Sequence, residues 1–205
     1  MNIIKNITSV KYETLTFLSK IYLKQIHKIH LENLPNDIFP RFGLELMEKY
    51  FNYLLKYNRG KIIIARSNKK IIGFIVLKIY KIKMIKFLDT QSLLKFLVSS
   101  FQNWKIFLRL IYQLLIIINS PKKSCEIEFF VVSKKYRSKG VGRRLIEICE
   151  KIGIKSKLQN IWTKTHNQKL ANFYIKKKKA KIFKKYEIFD HNYFYVYWKL
   201  NKYIK

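Results

Sequence analysis

The chain has 205 residues, enough for one domain with a sizeable core. Hydrophobic residues make up 49% and aromatic residues 16%, which excludes an intrinsically disordered protein despite the charge. The formal net charge of +31 allows nucleic acid, an anionic membrane surface or acidic small molecules as partners. The lysines are spread along the chain, and Lys, Ile and Asn all have AT-rich codons. Base composition therefore explains the charge better than a dedicated polyanion-binding surface does.

The sequence offers no signal for a metal, for secretion or for a membrane span. Cys125 and Cys149 lack metal-ligand spacing and the four histidines are scattered, so we expect no metal site and a reducing, cytoplasmic location. The first residues, MNIIKNITSVKYE, contain no continuous apolar run, so no secretory signal is expected. The apolar segment Ile106–Ile118 is interrupted by Arg109 and is shorter than the roughly 20 residues of a transmembrane helix. It predicts a buried helix, with contact to a membrane surface as the minor alternative.

The N-terminal part predicts a strand and two helices. Ile3–Ile7 has the composition of a short strand, and apolar residues recur at helical spacing from Tyr12 to His30. A loop with two prolines follows, and Gly43 precedes a second amphipathic segment, Leu44–Tyr57. The pair Arg59-Gly60 predicts the end of this second helix.

The remainder predicts a hairpin, an insertion, and then alternating strands and helices. Lys61–Arg66 and Ile71–Tyr80 flank a polar turn and predict the hairpin. Residues 81–120 predict a mostly helical insertion. The elements expected after it are the strand Cys125–Val132, a helix ended by Gly153, the strand Leu158–Thr165, the helix Asn167–Lys177, and the strands Ala180–Phe189 and Tyr193–Leu200. This order predicts an α/β fold in a single domain over residues 1–205, with one mixed sheet and helices on both faces.

Two of the six glycines lie in the stretch Arg137-x-x-Gly140-x-Gly142, between a predicted strand and a predicted helix. Glycine permits positive φ, so successive backbone N–H groups can face one concavity. The following helix adds unpaired N–H donors and the positive end of its dipole, which together suit a phosphate. The stretch is neither a P-loop nor a GxGxxG turn, and by itself an ordinary strand-to-helix turn explains it equally well.

The surrounding sequence favours the phosphate-binding interpretation. The glycine stretch resembles the acetyl-CoA pyrophosphate loop of the GNAT superfamily of acetyl-CoA-dependent N-acetyltransferases, Arg/Gln-x-x-Gly-x-Gly/Ala. Residues 126–132, EIEFFVV, resemble the family's fourth strand, and Asn167…Phe173-Tyr174 is similar to its Asn-x-x-Ala-x-x-Phe-Tyr helix. The hairpin KIIIARSNKKIIGFIVL resembles its second and third strands. The resemblance covers nearly the whole chain, in the family's order.

The chain also departs from the family pattern in three places. Leu170 stands where the family helix usually has alanine. The lysines 176–179 follow Tyr174 where the family has a Gly-Phe pair, which predicts weaker packing at the end of this helix. Residues 81–120 are longer than the usual connection between the third and fourth strands.

The resemblance implies a GNAT-type fold, a mostly antiparallel mixed sheet flanked by helices, with a helical insertion between the third and fourth strands. It also implies acetyl-CoA as co-substrate and no metal. The residues that it assigns to acetyl-CoA are Phe130, Val131, Val132, Arg137, Ser138, Lys139, Gly140, Val141, Gly142, Arg143, Asn167 and Tyr174.

Acetyl transfer to an amine requires a group that removes a proton from the ammonium form. Acidic residues are scarce, and Glu126 and Glu128 lie two apart on one predicted strand, so both face the same side. The resemblance allows either to be the base, and the choice between them stays open. A lysine on a neighbouring strand would explain either carboxylate equally well. Tyr174 resembles the family's general acid, against the alternative of a core tyrosine.

The acceptor amine is expected to contact the parts of the chain that the cofactor does not constrain. The loop of residues 31–43 carries the candidate substrate-binding residues Glu32, Asp37 and Arg41. The insertion has two expected roles, as a roof over the acceptor cleft or as a homodimer contact. General resemblance to GNAT members encoded with surface-polysaccharide genes favours a small-molecule acceptor such as a nucleotide-linked amino sugar.

Besides a degenerate GNAT fold retained for binding alone, which the lysines 176–179 keep open, two alternatives remain at this point. One is a protein N-acetyltransferase that acts on N-terminal or lysine amines. The other is a basic protein that binds nucleic acid or membrane surfaces, whose affinity would fall steeply with salt and would not need the glycine loop.

Overall fold

The computed structural model describes residues 10–35, 37, 39–80, 121–188 and 191–200. The predicted strand Ile3–Ile7 and the predicted helical insertion at 81–120 lie outside the described residues.

Seven strands form one sheet in the order β1-β2-β3-β4-β5-β7-β6. Their bounds are β1 Lys11–Leu15, β2 Gly60–Ser67, β3 Lys70–Lys78, β4 Ser124–Val132, β5 Asn160–Thr165, β6 Lys181–Ile188 and β7 His191–Lys199. Antiparallel pairing joins β1 to β2, β5 to β7 and β6 to β7. A parallel ladder joins β4 to β5, from Ser124 opposite Asn160 to Ile127 opposite Thr163. The predicted mixed, mostly antiparallel α/β sheet is confirmed.

Four α-helices lie in the described part of the chain: α1 Lys20–Asn33, α2 Gly43–Lys56, α3 Val141–Lys155 and α4 Gln168–Lys178. A side-chain oxygen caps two of them at the N-terminus. Ser19 accepts a hydrogen bond from the amide of Tyr22, and Asn167 accepts one from the amide of Leu170. None of the described helices has the length and apolar composition needed to cross a membrane.

The prediction of a helix beginning at Tyr12 is wrong. Residues Lys11–Leu15 are instead strand β1, which pairs antiparallel with β2 from Lys11 opposite Arg66 to Leu15 opposite Ile62. The helix begins only after the cap at Ser19. Apolar spacing did not separate the two elements, because hydrogen bonding to a distant strand decides the conformation of residues 11–15.

The predicted hairpin is confirmed, with a turn of two residues. Asn68 and Lys69 have φ of 48° and 64°, the left-handed values that a type I′ turn requires at both positions. This turn sets the register of β2 and β3 and makes them antiparallel neighbours.

The prediction that Gly153 ends the third helix is wrong, because α3 continues to Lys155. A Cβ at Gly153 would lie 2.7 Å from Leu200 Cδ1 and 3.2 Å from Cys125 Sγ. Glycine is required there for close packing against the sheet, and not for a helix end.

The chain divides into two compact units, residues 1–76 with 129–148 and residues 77–128 with 149–205. In the first unit the fully buried side chains include Ile26, Phe51, Ile63 and Phe74. In the second, Trp162 and Tyr195 form a buried aromatic pair surrounded by partly buried aromatic rings. The prediction of one functional domain over residues 1–205 stays a prediction.

Candidate functional site

The glycine loop joins β4 to α3. Its backbone is left-handed at two positions, Ser138 with φ 60° and Gly140 with φ 82°. A Cβ at Gly140 would meet no atom within 4 Å, so the space beside this residue is open and only the backbone conformation demands glycine. Left-handed residues in such a loop turn successive amides towards one side and create a concavity for anions.

Helix α3 begins directly behind this loop. The first helical hydrogen bond runs from the amide of Arg144 to the carbonyl oxygen of Gly140, at 3.0 Å. The amides of residues 141–143 therefore precede the helical ladder, at the positive end of a 15-residue helix. A phosphate group fits this arrangement of donors.

Gly142 lies where the start of α3 packs on β4. A Cβ there would come within 3.0 Å of Phe130 Cζ and 3.6 Å of Val132 Cγ2. Gly73 on β3 is close-packed in the same way, since its Cβ would lie 3.0 Å from the carbonyl oxygen of Val131. Phe130 and Val132 thus pack against the start of α3, and Val131 packs against β3, whatever these residues contribute to a ligand.

Arg137 binds the loop to its surroundings. Its Nε donates to the carbonyl oxygen of Val132 at 3.0 Å, and its Nη2 donates to Asn33 Oδ1 at 3.2 Å. Lys139 lies with its Nζ 5.5 Å from the ring centroid of Tyr136. The structure thus brings the loop residues of the predicted set together in one compact unit.

The arginines at the start of α3 are paired with an acidic residue. Arg143 and Arg144 contact Glu147 at 3.0 and 3.2 Å. Partial burial alone would raise the pKa of Glu147, but hydrogen bonds from Arg144 and Arg143 lower it below its ordinary value. The predicted ligand residue Arg143 is therefore already held by a carboxylate, and part of its charge is offset.

In the second unit, Glu126 and Glu128 share one partner. Lys78 Nζ lies 2.5 Å from Glu126 Oε2 and 3.4 Å from Glu128 Oε1. The two carboxylates face the same side of β4, as their spacing predicts. The expected lysine of a neighbouring strand is present and contacts both, so pairing alone does not single out the base.

Tyr174 is fully buried on α4. Its ring stacks on Trp198 at a centroid distance of 5.1 Å and an interplanar angle of 18°. Its hydroxyl has no hydrogen-bond partner within the described part of the chain. Burial, together with the neighbouring Cys149, raises the pKa of Tyr174. A catalytic role for Tyr174 stays a prediction, and so does a ligand contact by Asn167, whose Oδ1 caps α4.

The three predicted substrate-binding residues lie at or near the loop between α1 and α2. Asp37 Oδ2 lies 2.8 Å from His30 Nε2, and Asp37 Oδ1 accepts from the amide of Phe39. Arg41 is exposed and donates to the carbonyl oxygen of Pro35. Glu32 is an exposed helical residue, 3.9 Å from Lys28. Asp37 and Arg41 fasten the loop to α1 and to itself, and all three remain predicted acceptor contacts.

Sequence reasoning expected a lysine beside these carboxylates but did not identify it as Lys78, and it missed the partner of His30. Lys78 follows the apolar run Ile71–Leu77 on a strand next to the one that carries two carboxylates, and this was the available signal. His30 is fully buried, and its ring lies 4.9 Å from that of Phe129. No group of three or more His, Cys, Asp or Glu residues in the described ranges is placed to hold a metal ion.

Comparison with known proteins decides the family. A model described as the acetyltransferase (GNAT) family matches residues 24–178. The chain belongs to the GNAT acetyltransferase family. Members of this family transfer an acetyl group from acetyl-CoA, so the predicted family and its type of reaction are confirmed. A comparison with curated proteins finds no match.

Several solved structures share this GNAT fold at low sequence identity. The NatC complex bound to Gag peptide and CoA contains a chain with TM-score 0.61 and 15% identity, covering 95% of this chain and 100% of that one. Ard1 from Thermoplasma volcanium has TM-score 0.59 and 14% identity, with coverage of 95% and 100%. The ribosomal-protein-S18-alanine N-acetyltransferase from Escherichia coli has TM-score 0.55 and 10% identity, with coverage of 96% and 99%. These similarities establish the fold alone.

The residues present fit acetyl-CoA, the group that the GNAT family implies. The loop combines a left-handed Gly140 beside open space with the first amides of α3, which suits a pyrophosphate. The buried hydroxyl of Tyr174, without a partner in the residues described, is a group that a ligand atom can satisfy.

Proposed function

We propose that this chain is an acetyl-CoA-dependent N-acetyltransferase that binds the pyrophosphate of its co-substrate at the Gly140 loop. The observation that supports this most directly is the left-handed backbone at Ser138 and Gly140, immediately before the N-terminus of α3. The amides of residues 141–143 donate to the pyrophosphate, and Arg137 holds the loop in the shape that aims them.

The proposed chemistry uses two side chains of this chain, a carboxylate and a tyrosine. When bound, acetyl-CoA supplies an activated acetyl group. A carboxylate on β4, Glu126 or Glu128, accepts a proton from the ammonium group of the acceptor. The hydroxyl of Tyr174 holds a proton for the departing sulfur, and its raised pKa keeps it in the protonated form.

For the acceptor we propose a small-molecule amine that carries an anionic portion, such as a nucleotide-linked amino sugar. Arg41 is an exposed cation in the loop between α1 and α2, and the chain has a net charge of +31. Both features favour an anionic substrate over a neutral one. We propose the cytoplasm as the location, and nonspecific polyanion binding as a separate property of the charge.

A glycine pair in this chain allows a controlled test of the proposed site. Gly140 and Gly43 have φ of 82° and 90°, and neither would bring a Cβ within 4 Å of another atom. Valine strains the backbone similarly at both positions, but only Gly140 lies in the loop. Acetyl-CoA is titrated calorimetrically into wild type, Gly140→Val and Gly43→Val at physiological salt, with heparin as the polyanion control.

We expect the dissociation constant of acetyl-CoA to rise about tenfold or more in Gly140→Val, which is about 1.4 kcal/mol, and to stay near wild type in Gly43→Val. Heparin should bind all three proteins equally. Acetyl-CoA binding that is indifferent to Gly140 and is displaced by heparin would overturn the enzyme assignment in favour of a basic surface-binding protein.

The acceptor is tested separately by CoA release with three amine classes: nucleotide-linked amino sugars, the free amino sugars, and peptides with N-terminal or lysine amines. The proposal predicts turnover of the nucleotide-linked compounds and its loss in Arg41→Ala, with acetyl-CoA binding unchanged. Turnover confined to the peptides would replace the proposed acceptor with a protein. Equal loss of acetyl-CoA binding and turnover in Arg41→Ala would remove Arg41 from the acceptor site.

A further inference from the structure

Lys78 is a buried lysine that the proposed chemistry has not yet used. It is the last residue of β3, and its side chain is only 13% exposed. Its Nζ contacts carboxylates at two positions of β4, Glu126 at 2.5 Å and Glu128 at 3.4 Å. A buried lysine that lies between the two candidate bases is well placed to control them.

The cluster contains one positive charge and two negative charges. Because both carboxylates contact the same nitrogen, they lie close enough to repel each other when both are ionised. Burial alone would lower the pKa of Lys78, but the charges and hydrogen bonds of Glu126 and Glu128 raise it above its ordinary value. On the β7 side lies Tyr195, whose pKa is raised by burial and then by the charge of Glu126. Lys78 is thus a buried cation that both carboxylates share.

The two carboxylates do not have equivalent positions. The side chain of Glu126 is 7% exposed and has the shorter contact to Lys78. The side chain of Glu128 is 18% exposed and has the longer contact. A carboxylate that must meet an incoming ammonium group needs access, and one that anchors a buried lysine needs a short contact.

We propose that Lys78 is a positioning residue that holds both carboxylates through one shared contact, that Glu126 anchors Lys78, and that Glu128 is the carboxylate that takes the proton from the acceptor ammonium. This inference rests on the proposed N-acetyltransferase function and resolves the choice that the sequence left open.

The proton balance is complete with the groups named. The acceptor ammonium loses two protons in becoming an amide: one passes to Glu128 and then to solvent, and the other replaces the proton that Tyr174 gives to the sulfur of CoA. The new bond joins nitrogen to the acetyl carbon, the carbon–sulfur bond breaks, and its electron pair stays with sulfur. Lys78 keeps its own proton throughout and exchanges none with the substrate.

Three variants separate the roles of these residues: Lys78→Met, Lys78→Met/Glu126→Gln and Lys78→Met/Glu128→Gln. The measurement is kcat/KM against pH with an amine that wild type acetylates, beside calorimetric binding of acetyl-CoA. Methionine and glutamine keep the approximate size of the side chains that they replace.

In Lys78→Met the two carboxylates compete for one proton. As the pH is lowered, activity should therefore be lost at a pH about one unit or more above the pH at which wild type loses it. Lys78→Met/Glu126→Gln removes the competing carboxylate and should return the profile towards wild type. Lys78→Met/Glu128→Gln should stay about a hundredfold or more below wild type at all pH values, because it lacks the base. Lys78→Arg, which restores the charge, should recover part of the lost activity.

An unchanged pH profile in Lys78→Met would overturn the role of Lys78. Activity in the Glu128→Gln double variant and none in the Glu126→Gln double variant would make Glu126 the base and overturn the division of roles. Wild type that acetylates no amine would contradict the proposed function instead.

Stability against pH tests the charge compensation without any turnover. The carboxylates of Lys78→Met repel each other when ionised, so they bind protons more tightly in the folded than in the unfolded protein. Its unfolding free energy should therefore rise relative to wild type as pH falls from 7 towards 4. A difference between the two proteins that does not change with pH would overturn the inference.

Discussion

Arg137 donates a hydrogen bond from Nε to the carbonyl oxygen of Val132, at 3.0 Å, and so ties the glycine loop to the last residue of β4. The same guanidinium reaches Asn33 Oδ1 at the C-terminal end of α1, at 3.2 Å. Two donors in a rigid planar fork fix the loop on both sides, which a lysine ammonium cannot reproduce. Arg137 therefore connects the loop both to β4 and to α1.

Arg137→Lys should weaken acetyl-CoA binding nearly as much as Arg137→Gln does, although lysine keeps the positive charge. Loss of the bonds to Val132 and Asn33 is expected to raise the dissociation constant about tenfold, since a charge-assisted hydrogen bond contributes roughly 1.5–3 kcal/mol. Calorimetry of both variants checks this, with Arg66→Lys as the control, because Arg66 pairs with Glu13 between β1 and β2. Binding that survives in Arg137→Lys and fails in Arg137→Gln would mean that charge, and not shape, is the contribution.

The variant Tyr174→Phe distinguishes a catalytic role of Tyr174 from a role in core packing alone. The hydroxyl is buried and has no partner in the described residues, so its removal should leave the unfolding free energy within about 0.5 kcal/mol of wild type, or raise it. If the hydroxyl protonates the departing sulfur, kcat should fall about a hundredfold with acetyl-CoA binding unchanged. Chemical denaturation and steady-state kinetics on the same preparation give both values. Wild-type kcat in this variant would leave Tyr174 with packing alone.

The sequence predicted the parts of the site that depend on local backbone chemistry. The stretch with Gly140 and Gly142 predicted a strand-to-helix loop, in which Gly140 is left-handed as expected, whereas Gly142 is not and Ser138 is the second left-handed residue. The hydrogen bond from the amide of Leu170 confirms Asn167 as the start of α4. The turn at Asn68-Lys69 was likewise predicted from its composition. Each of these features is decided by residues within a few positions of one another.

What the sequence did not predict depends on partners far along the chain. Residues 11–15 form a strand only because they pair with β2 through backbone hydrogen bonds. Gly153 packs closely against Leu200, which lies far away in sequence. The residues near Gly153 therefore gave no sign that this glycine lies inside α3. Lys78 on β3 contacts Glu126 and Glu128 on the adjacent strand β4, and residues 81–120 separate the two strands in the sequence. Only the tertiary structure brings such groups together.

Lys177 and Lys178 differ sharply in their surroundings, and this predicts unequal responses to the same substitution. Lys178 Nζ contacts Glu150 Oε2 at 2.8 Å, and Trp198 Nε1 donates to the other oxygen of this buried carboxylate at 2.8 Å. Lys178→Met leaves the Glu150 charge with one neutral partner and should lower the unfolding free energy by about 2 kcal/mol or more. Lys177 is exposed, and Lys177→Met should change the unfolding free energy by less than about 0.5 kcal/mol.

Urea denaturation of the two variants checks this prediction. Glu150→Gln in the Lys178→Met background should recover part of the loss, because it removes the buried charge that lacks its partner. Equal effects of the two lysine substitutions would show that the contact between Lys178 and Glu150 contributes no more than a solvated surface lysine does.

The end of α4 carries a strain that glycine should relieve. Lys179 is the C-cap residue and has φ 51° and ψ 36°, a left-handed conformation that side chains with a Cβ adopt at a cost. The amide of Ala180 donates to the carbonyl oxygen of Tyr174, as in a helix end that usually carries glycine. Lys179→Gly should therefore raise the unfolding free energy by about 1 kcal/mol, whereas Lys177→Gly, inside the helix, should lower it by about 1 kcal/mol. Thermal and urea unfolding of the two variants measure these changes in unfolding free energy. Destabilisation by Lys179→Gly would mean that the lysine side chain contributes more at this position than its backbone conformation costs.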